Sequence, residues 1–89
     1  MKRESLIITN KLGLHARAAA KVVHTANRFS SSIFIAVDDE EVNAKSILGL
    51  LTLAATKGTS VTLRAEGEDE DAALSALVDL FTDKFGEDA

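Results

Sequence analysis

The sequence predicts an α+β sandwich in which helices cover one face of a small antiparallel sheet. Two observations carry that expectation. Over 89 residues the apolar period switches repeatedly between two and 3.6, which gives the element order βαββαβα. Neither a glycine-rich nucleotide loop nor a proline, repeat or low-complexity tract interrupts the chain, so residues 1–89 read as a single domain.

Each element has its own signal. From Arg3 to Thr9, Glu4, Leu6 and Ile8 alternate with Ser5, Ile7 and Thr9, the period of a strand with one mainly apolar face. Asn10 to Leu14 reads as a loop. Between Ala16 and Phe29 the period becomes helical: Ala19, Val22, Val23, Ala26 and Phe29 share one stripe, while Arg17, Lys21, His24 and Arg28 gather within about 60° of arc on the other side. Ser30 to Ser32 break that helix, and Ile33 to Val37 form a second strand. Asp38 to Glu41 read as a solvated turn and Val42 to Ala44 as a short return strand. Ser46 opens a second helix, expected to run to Lys57-Gly58, where glycine is a common stop. In the fourth strand, Val61, Leu63 and Ala65 face opposite to Thr62, Arg64 and Glu66. The last helix starts within Glu68 to Asp71, whose charge suits a helix N-terminus, and carries Leu74, Leu77, Val78, Phe81 and Phe85 on one stripe. The uncovered sheet face should be wet. Thr62, Arg64 and Glu66 agree with this, whereas Ile7 and Phe34 do not.

Composition removes whole classes of function. Cysteine is absent and there are two histidines, so disulfide, thiolate and histidine-rich metal chemistry drop out and no metal site is expected. His24 lies nine positions from His15, about 180° around a helix, so the pair should not share a metal ion. The longest uncharged run, Ser46 to Thr56, is about half the roughly 20 apolar residues of a membrane span. Met1-Lys2-Arg3 is basic like a signal peptide, but the apolar run behind it, Leu6 to Ile8, is too short, and the expectation is a mature cytoplasmic protein. Ten basic against fourteen acidic side chains, net −4, oppose binding to a phosphate backbone. The four Phe sit among apolar rather than basic neighbours, so nucleic acid is not an expected partner.

The chemistry concentrates at the start of the first helix. Gly13-Leu14-His15-Ala16 offers no Ser, Thr, Asp or Asn to cap the first-turn N–H groups. Free donors, the positive end of the helix dipole and Arg17 in the first turn together suit an anion, with phosphate the natural guest. His15 stands at the mouth of that site, and a neutral imidazole is a competent nucleophile toward phosphorus. A histidine that merely occupies the junction, with Arg17 a solvated charge, is the plainer alternative. The second helix is apolar nearly all round. If Leu50, Leu53 and Ala54 face the core, then Ile47, Leu48 and Leu51 form either a protein-docking patch or a surface covered by the C-terminal helix. Ser46 by itself is an ordinary N-cap.

Two motifs at characteristic spacing, Gly13-Leu14-His15-Ala16-Arg17 after the first strand and Asn43 to Leu51 ahead of Lys57-Gly58, resemble HPr, the histidine phosphocarrier family of the bacterial phosphotransferase system. The likeness covers nearly the whole chain. It implies an open-faced β-sandwich, a four-stranded antiparallel sheet covered on one face by three helices. It implies that His15 takes phosphate at Nδ1 from phospho-Enzyme I and passes it to an EIIA-type receiver, carrying the group without turnover and without a cofactor. Under the same resemblance Arg17 faces the phosphate together with the backbone of Ala16, Arg17 and Ala18. Ala20, Lys21, His24, Arg28, Ile47, Leu48 and Leu51 form the partner surface, and Ser46 matches the serine modified by an HPr kinase/phosphorylase in many members. The expected state is a monomer, and the sugar and nitrogen branches are left open. One position departs from the family: Ala18 stands where proline is usual, so the first turn gains an N–H and loses a fixed φ. The competing readings are a non-carrier interaction module in which the Ser46 region matters and His15 is vestigial, and an unrelated small ligand-binding domain.

Overall fold

The computed structural model describes residues 1–87 and contains β1 (Lys2–Ile7), α1 (Ala16–Ala26), β2 (Ser32–Val37), β3 (Glu40–Asn43), α2 (Ile47–Thr52), β4 (Ser60–Glu66) and α3 (Glu70–Thr82), followed by a 3₁₀ turn at Lys84–Gly86. The strands form one antiparallel sheet in the order β1-β4-β2-β3, with Ser5 opposite Thr62, Ile35 opposite Leu63 and Ala36 opposite Glu41. Alternation along the strands explains why one face is buried. Ile33, Ile35, Val61, Leu63 and Ala65 point toward the helices, where they meet Val22 and Ala26 of α1, Leu50 of α2, and Ala73, Leu77 and Phe81 of α3. The sheet is thus covered on one face by three helices, as the sequence predicts.

The two residues that fitted the wet face poorly have different fates. Ile7 lies near the end of the edge strand β1 and remains 51% exposed. Phe34 is half-buried because the Arg64 guanidinium lies 4.2 Å from its ring centroid, held there by Glu41 at 2.8 Å and Glu66 at 3.3 Å. A cation over an aromatic face thus shields an outward ring. Glu40 and Glu41 therefore belong to β3 and not to a solvated turn, and the turn itself is Asp38-Asp39, with Asp38 at φ 53°.

Three helix ends differ from expectation, each because tertiary bonds replace the helical ladder. Helix α1 stops at Ala26: Arg28 N–H and Phe29 N–H close on Thr25 and Ala26 carbonyls, and the Phe29 carbonyl accepts from Lys45 Nζ at 2.8 Å. Helix α2 stops at Thr52, well before Gly58. Leu53 N–H and Ala54 N–H close the final turn, Ala54 takes φ 52°, and the chain runs on so that the Ala55 carbonyl accepts from Leu14 N–H at 2.8 Å. Leu50 and Leu53 face the core as anticipated, but Ala54 is exposed. Helix α3 ends at Thr82, so Phe85 is not on its stripe; Lys84 and Phe85 turn left-handed, at φ 55° and 57°, and fold the ring back edge-on to Phe81, centroids 4.8 Å apart. Burying such a ring contributes roughly 1.5–3 kcal/mol, enough to offset backbone strain of about 1–3 kcal/mol per residue only with help from its neighbours. Lys21 Nζ gives that help by donating to the Phe85 carbonyl.

Candidate functional site

The loop ahead of α1 is fixed by a close crossing of two chain segments. Gly13 adopts φ +65°, and a Cβ there would lie 2.5 Å from the Ala55 carbonyl oxygen, so only glycine permits the approach that lets Leu14 bond to Ala55. Leu14 is buried and pins the loop, which leaves His15 as the N-cap of α1 with extended backbone, φ −79° and ψ 179°. The His15 carbonyl accepts from Ala19 N–H at 2.8 Å, but its side chain makes no capping bond. Among the described residues no acceptor serves the N–H groups of Ala16, Arg17 and Ala18. The positive end of α1 is therefore open, as the missing cap in the sequence suggested.

Around this end lies an open pocket of about 510 Å³ lined by Lys11, Leu12, His15, Arg17 and Glu87. Arg17 is exposed and, among the described residues, makes no ion pair. The carboxylate of Glu87 accepts from His15 Nε2 and, on its other oxygen, from Asn10 Nδ2 at 3.0 Å. The His15 bond, with Asn10 adding to it, holds the Glu87 carboxyl below the usual glutamate range. Since an ionised carboxylate only accepts, Nε2 must carry a proton, and in the neutral imidazole Nδ1 is then the nitrogen with the lone pair. Asn10 is fully buried and also donates to the Gly13 carbonyl at 2.8 Å. Both of its Nδ2 partners are acceptors, which sets the orientation of the amide; among the described residues Oδ1 has no partner.

The other residues singled out in the sequence fall into three groups. Ala20, His24 and Arg28 are exposed; Arg28 lies in the closing turn beyond α1, 5.6 Å from the Phe29 ring centroid. Lys21 is half-buried, its ammonium engaged with the C-terminal turn. Leu48 is 74% exposed, with Ile47 at 41% and Leu51 at 39%, because α2 packs mainly against α1 and β3. Ser46 caps α2, its hydroxyl accepting from Gly49 N–H at 3.2 Å.

Sequence reasoning missed Asn10, Lys11, Leu12 and Glu87 at this site. Asn10 carried a weak signal as a turn-forming residue before a glycine. Glu87 carried none, since 72 positions separate it from His15 and no local pattern reports such a contact.

Comparison with known proteins agrees with this architecture. A family model described as "PTS HPr component phosphorylation site" matches residues 2–83. Phosphocarrier protein HPr of Xylella fastidiosa (strain 9a5c) is 51% identical over 88 residues, 99% of either chain. The crystal structure of HPr-C-His from Thermoanaerobacter tengcongensis has a TM-score of 0.96 at 52% identity and covers 100% of both chains. A crystal structure of an HPr dimer from the same organism has a TM-score of 0.79 at 53% identity, covering 98% of this chain and 100% of that one. Fold and relatives define the class, a phosphoryl-group carrier of the phosphotransferase system. The chain belongs to the HPr family.

Proposed function

We propose that His15 accepts a phosphoryl group on Nδ1 from phospho-Enzyme I and hands it to an EIIA-type receiver. The observation that carries this reading is the uncapped start of α1, where His15 stands beside Arg17 and beside three N–H groups that have no acceptor among the described residues. Nδ1 attacks phosphorus in line with the departing donor. The N–H groups of Ala16, Arg17 and Ala18 and the Arg17 guanidinium then hold the phosphoryl oxygens. Incubation with phosphoenolpyruvate and Enzyme I should add the mass of one phosphoryl group, labile in acid, and His15→Ala should abolish it while leaving the fold intact. Labelling that persists in that variant, or moves to His24, overturns the assignment.

Partners dock on the neighbouring helices in this proposal. Exposed Ala20, His24 and Arg28 and the apolar Ile47, Leu48 and Leu51 provide the surface, with Lys21 at its border. Ser46 is the regulatory site, open to an HPr kinase/phosphorylase: phosphorylation adds roughly −1.5 to −2 charges at the start of α2, which repels an acidic partner without unfolding the helix. A Ser46→Asp variant should keep its melting temperature and exchange phosphate more slowly. The single domain of residues 1–89 works as a cytoplasmic monomer, in keeping with the absence, among the described residues, of any helix long and apolar enough to cross a membrane. The Thermoanaerobacter dimer makes light scattering of the purified protein the direct check on that state.

A further inference from the structure

The bond between His15 and Glu87 has a chemical consequence for the carrier. We infer that Glu87 is a positioning residue of the phosphoryl-transfer centre: it keeps the imidazole proton on Nε2 and is the counter-charge of the ring while Nδ1 carries the phosphoryl group. The inference rests on His15 being the acceptor and deepens that reading.

Three contacts place the carboxylate. Phe85 buries its ring against Phe81 and so returns the chain toward α1. Lys21 Nζ holds the Phe85 carbonyl, fixing the turn to the same helix that His15 caps. Asn10 Nδ2 then directs one Glu87 oxygen, leaving the other for Nε2.

The transfer balances without moving a proton. When Nδ1 attacks, its lone pair forms the new P–N bond and the electron pair of the donor's bond to phosphorus leaves with the donor. The ring, still protonated on Nε2, becomes cationic, and the Glu87 carboxylate 72 positions away in sequence lies directly against that charge. On delivery the P–Nδ1 bond breaks, its electron pair returns to Nδ1, and the ring is again neutral with its proton on Nε2. An oriented imidazole with one tautomer fixed by a carboxylate is a general device for histidine nucleophiles and bases.

The geometry makes an unusual demand on the isosteric variant. In Glu87→Gln one oxygen becomes NH₂. Asn10 Nδ2, held by the Gly13 carbonyl, requires the remaining oxygen, so the NH₂ must face His15 and donate to Nε2. The proton then moves to Nδ1 and removes the nucleophilic lone pair. Glu87→Ala loses only orientation and counter-charge. Nitrogen-15 NMR of histidine-labelled, unphosphorylated protein should therefore show Nε2–H in the wild type and a gain of Nδ1–H in Glu87→Gln. Phosphoryl acceptance from Enzyme I should fall in the order wild type, Glu87→Ala, Glu87→Gln, by about 10-fold for loss of orientation and about 100-fold or more for the wrong tautomer. Equal acceptance rates in the three proteins, or an Nε2–H tautomer retained in Glu87→Gln, would overturn the inference. Because the tautomer is read without phosphate, a wild type that accepts no phosphate would sink the carrier assignment while the spectra still decide the role of Glu87.

Discussion

At the scale of single residues, the open start of α1 at His15 and Arg17 was legible because its signal is local. A missing cap and a cation two positions on are both visible in five consecutive letters. Ala18 is the residue on which the family pattern and this chain part. Its side chain is buried and its N–H has no acceptor among the described residues, so it adds a donor at the open start of α1 at no loss of helical bonding. Ala18→Pro removes that donor and fixes φ near −65°. The phosphohistidine of the variant should hydrolyse faster at a given pH. Equal half-lives would make Ala18 a neutral departure.

At the scale of elements, helix α2 separates stability from recognition. Ser46 satisfies one N–H of the first turn, and its loss in Ser46→Ala should cost about 1 kcal/mol, read as a lower denaturant midpoint. Leu48 projects away from the core, so Leu48→Ala should leave that midpoint nearly unchanged and weaken association with Enzyme I through lost contact area. A normal association constant for Leu48→Ala would exclude this patch as the contact. The sequence left open whether Ile47, Leu48 and Leu51 form a docking patch or lie under the C-terminal helix, and the structure leaves them exposed. The ends of α1, α2 and α3 were not legible. Periodicity runs on through Phe29, Ala54 and Phe85, and what holds the chain beyond each helix end is a distant group: Lys45 on the Phe29 carbonyl, Leu14 on Ala55, Lys21 on the Phe85 carbonyl. Glu41 was misread as part of a turn for the same reason, its partner Arg64 lying 23 positions away.

At the scale of the whole molecule, charge sets both stability and encounter. The Asp69 carboxylate makes no cap for α3. It accepts from the Ser31 hydroxyl and from the N–H groups of Ser30 and Ser31, tying the start of α3 to the start of β2. The Ser31 bond is the largest cause that lowers its pKa to about 2. Glu41, Glu70 and Glu87 are lowered as well, led respectively by bonds from Arg64, Gly67 N–H and His15. A carboxyl whose folded pKa lies below its unfolded value stabilises the fold above the ordinary carboxylate range and loses that contribution as pH falls. For Asp69 the loss runs from about 4 down to about 2. Asp69→Asn should thus unfold at lower denaturant at pH 7 and show a shallower decline on acidification; parallel acid limbs for the two proteins would dismiss this linkage. The net charge of −4 coexists with cationic Arg17 and Arg28 exposed on and beside α1, so encounter with an acidic partner should slow as salt rises. Phosphotransfer rates independent of ionic strength would show that steering plays no part.

The distance in sequence between His15 and Glu87 also orders events in time. A ribosome adding roughly 5–20 residues per second makes the carboxylate roughly 4–14 s after the imidazole, across the 72 positions that part them. β1 waits as well, because β4 is its strand partner, and Lys2 cannot meet Ala65 until that residue has been made. A nascent chain halted before β4 thus carries the histidine motif complete in letters but unpartnered in space, with its first strand unpaired and the sheet edge open. The His15–Glu87 bond and the β1–β4 ladder therefore close late, each only after its C-terminal partner has been made.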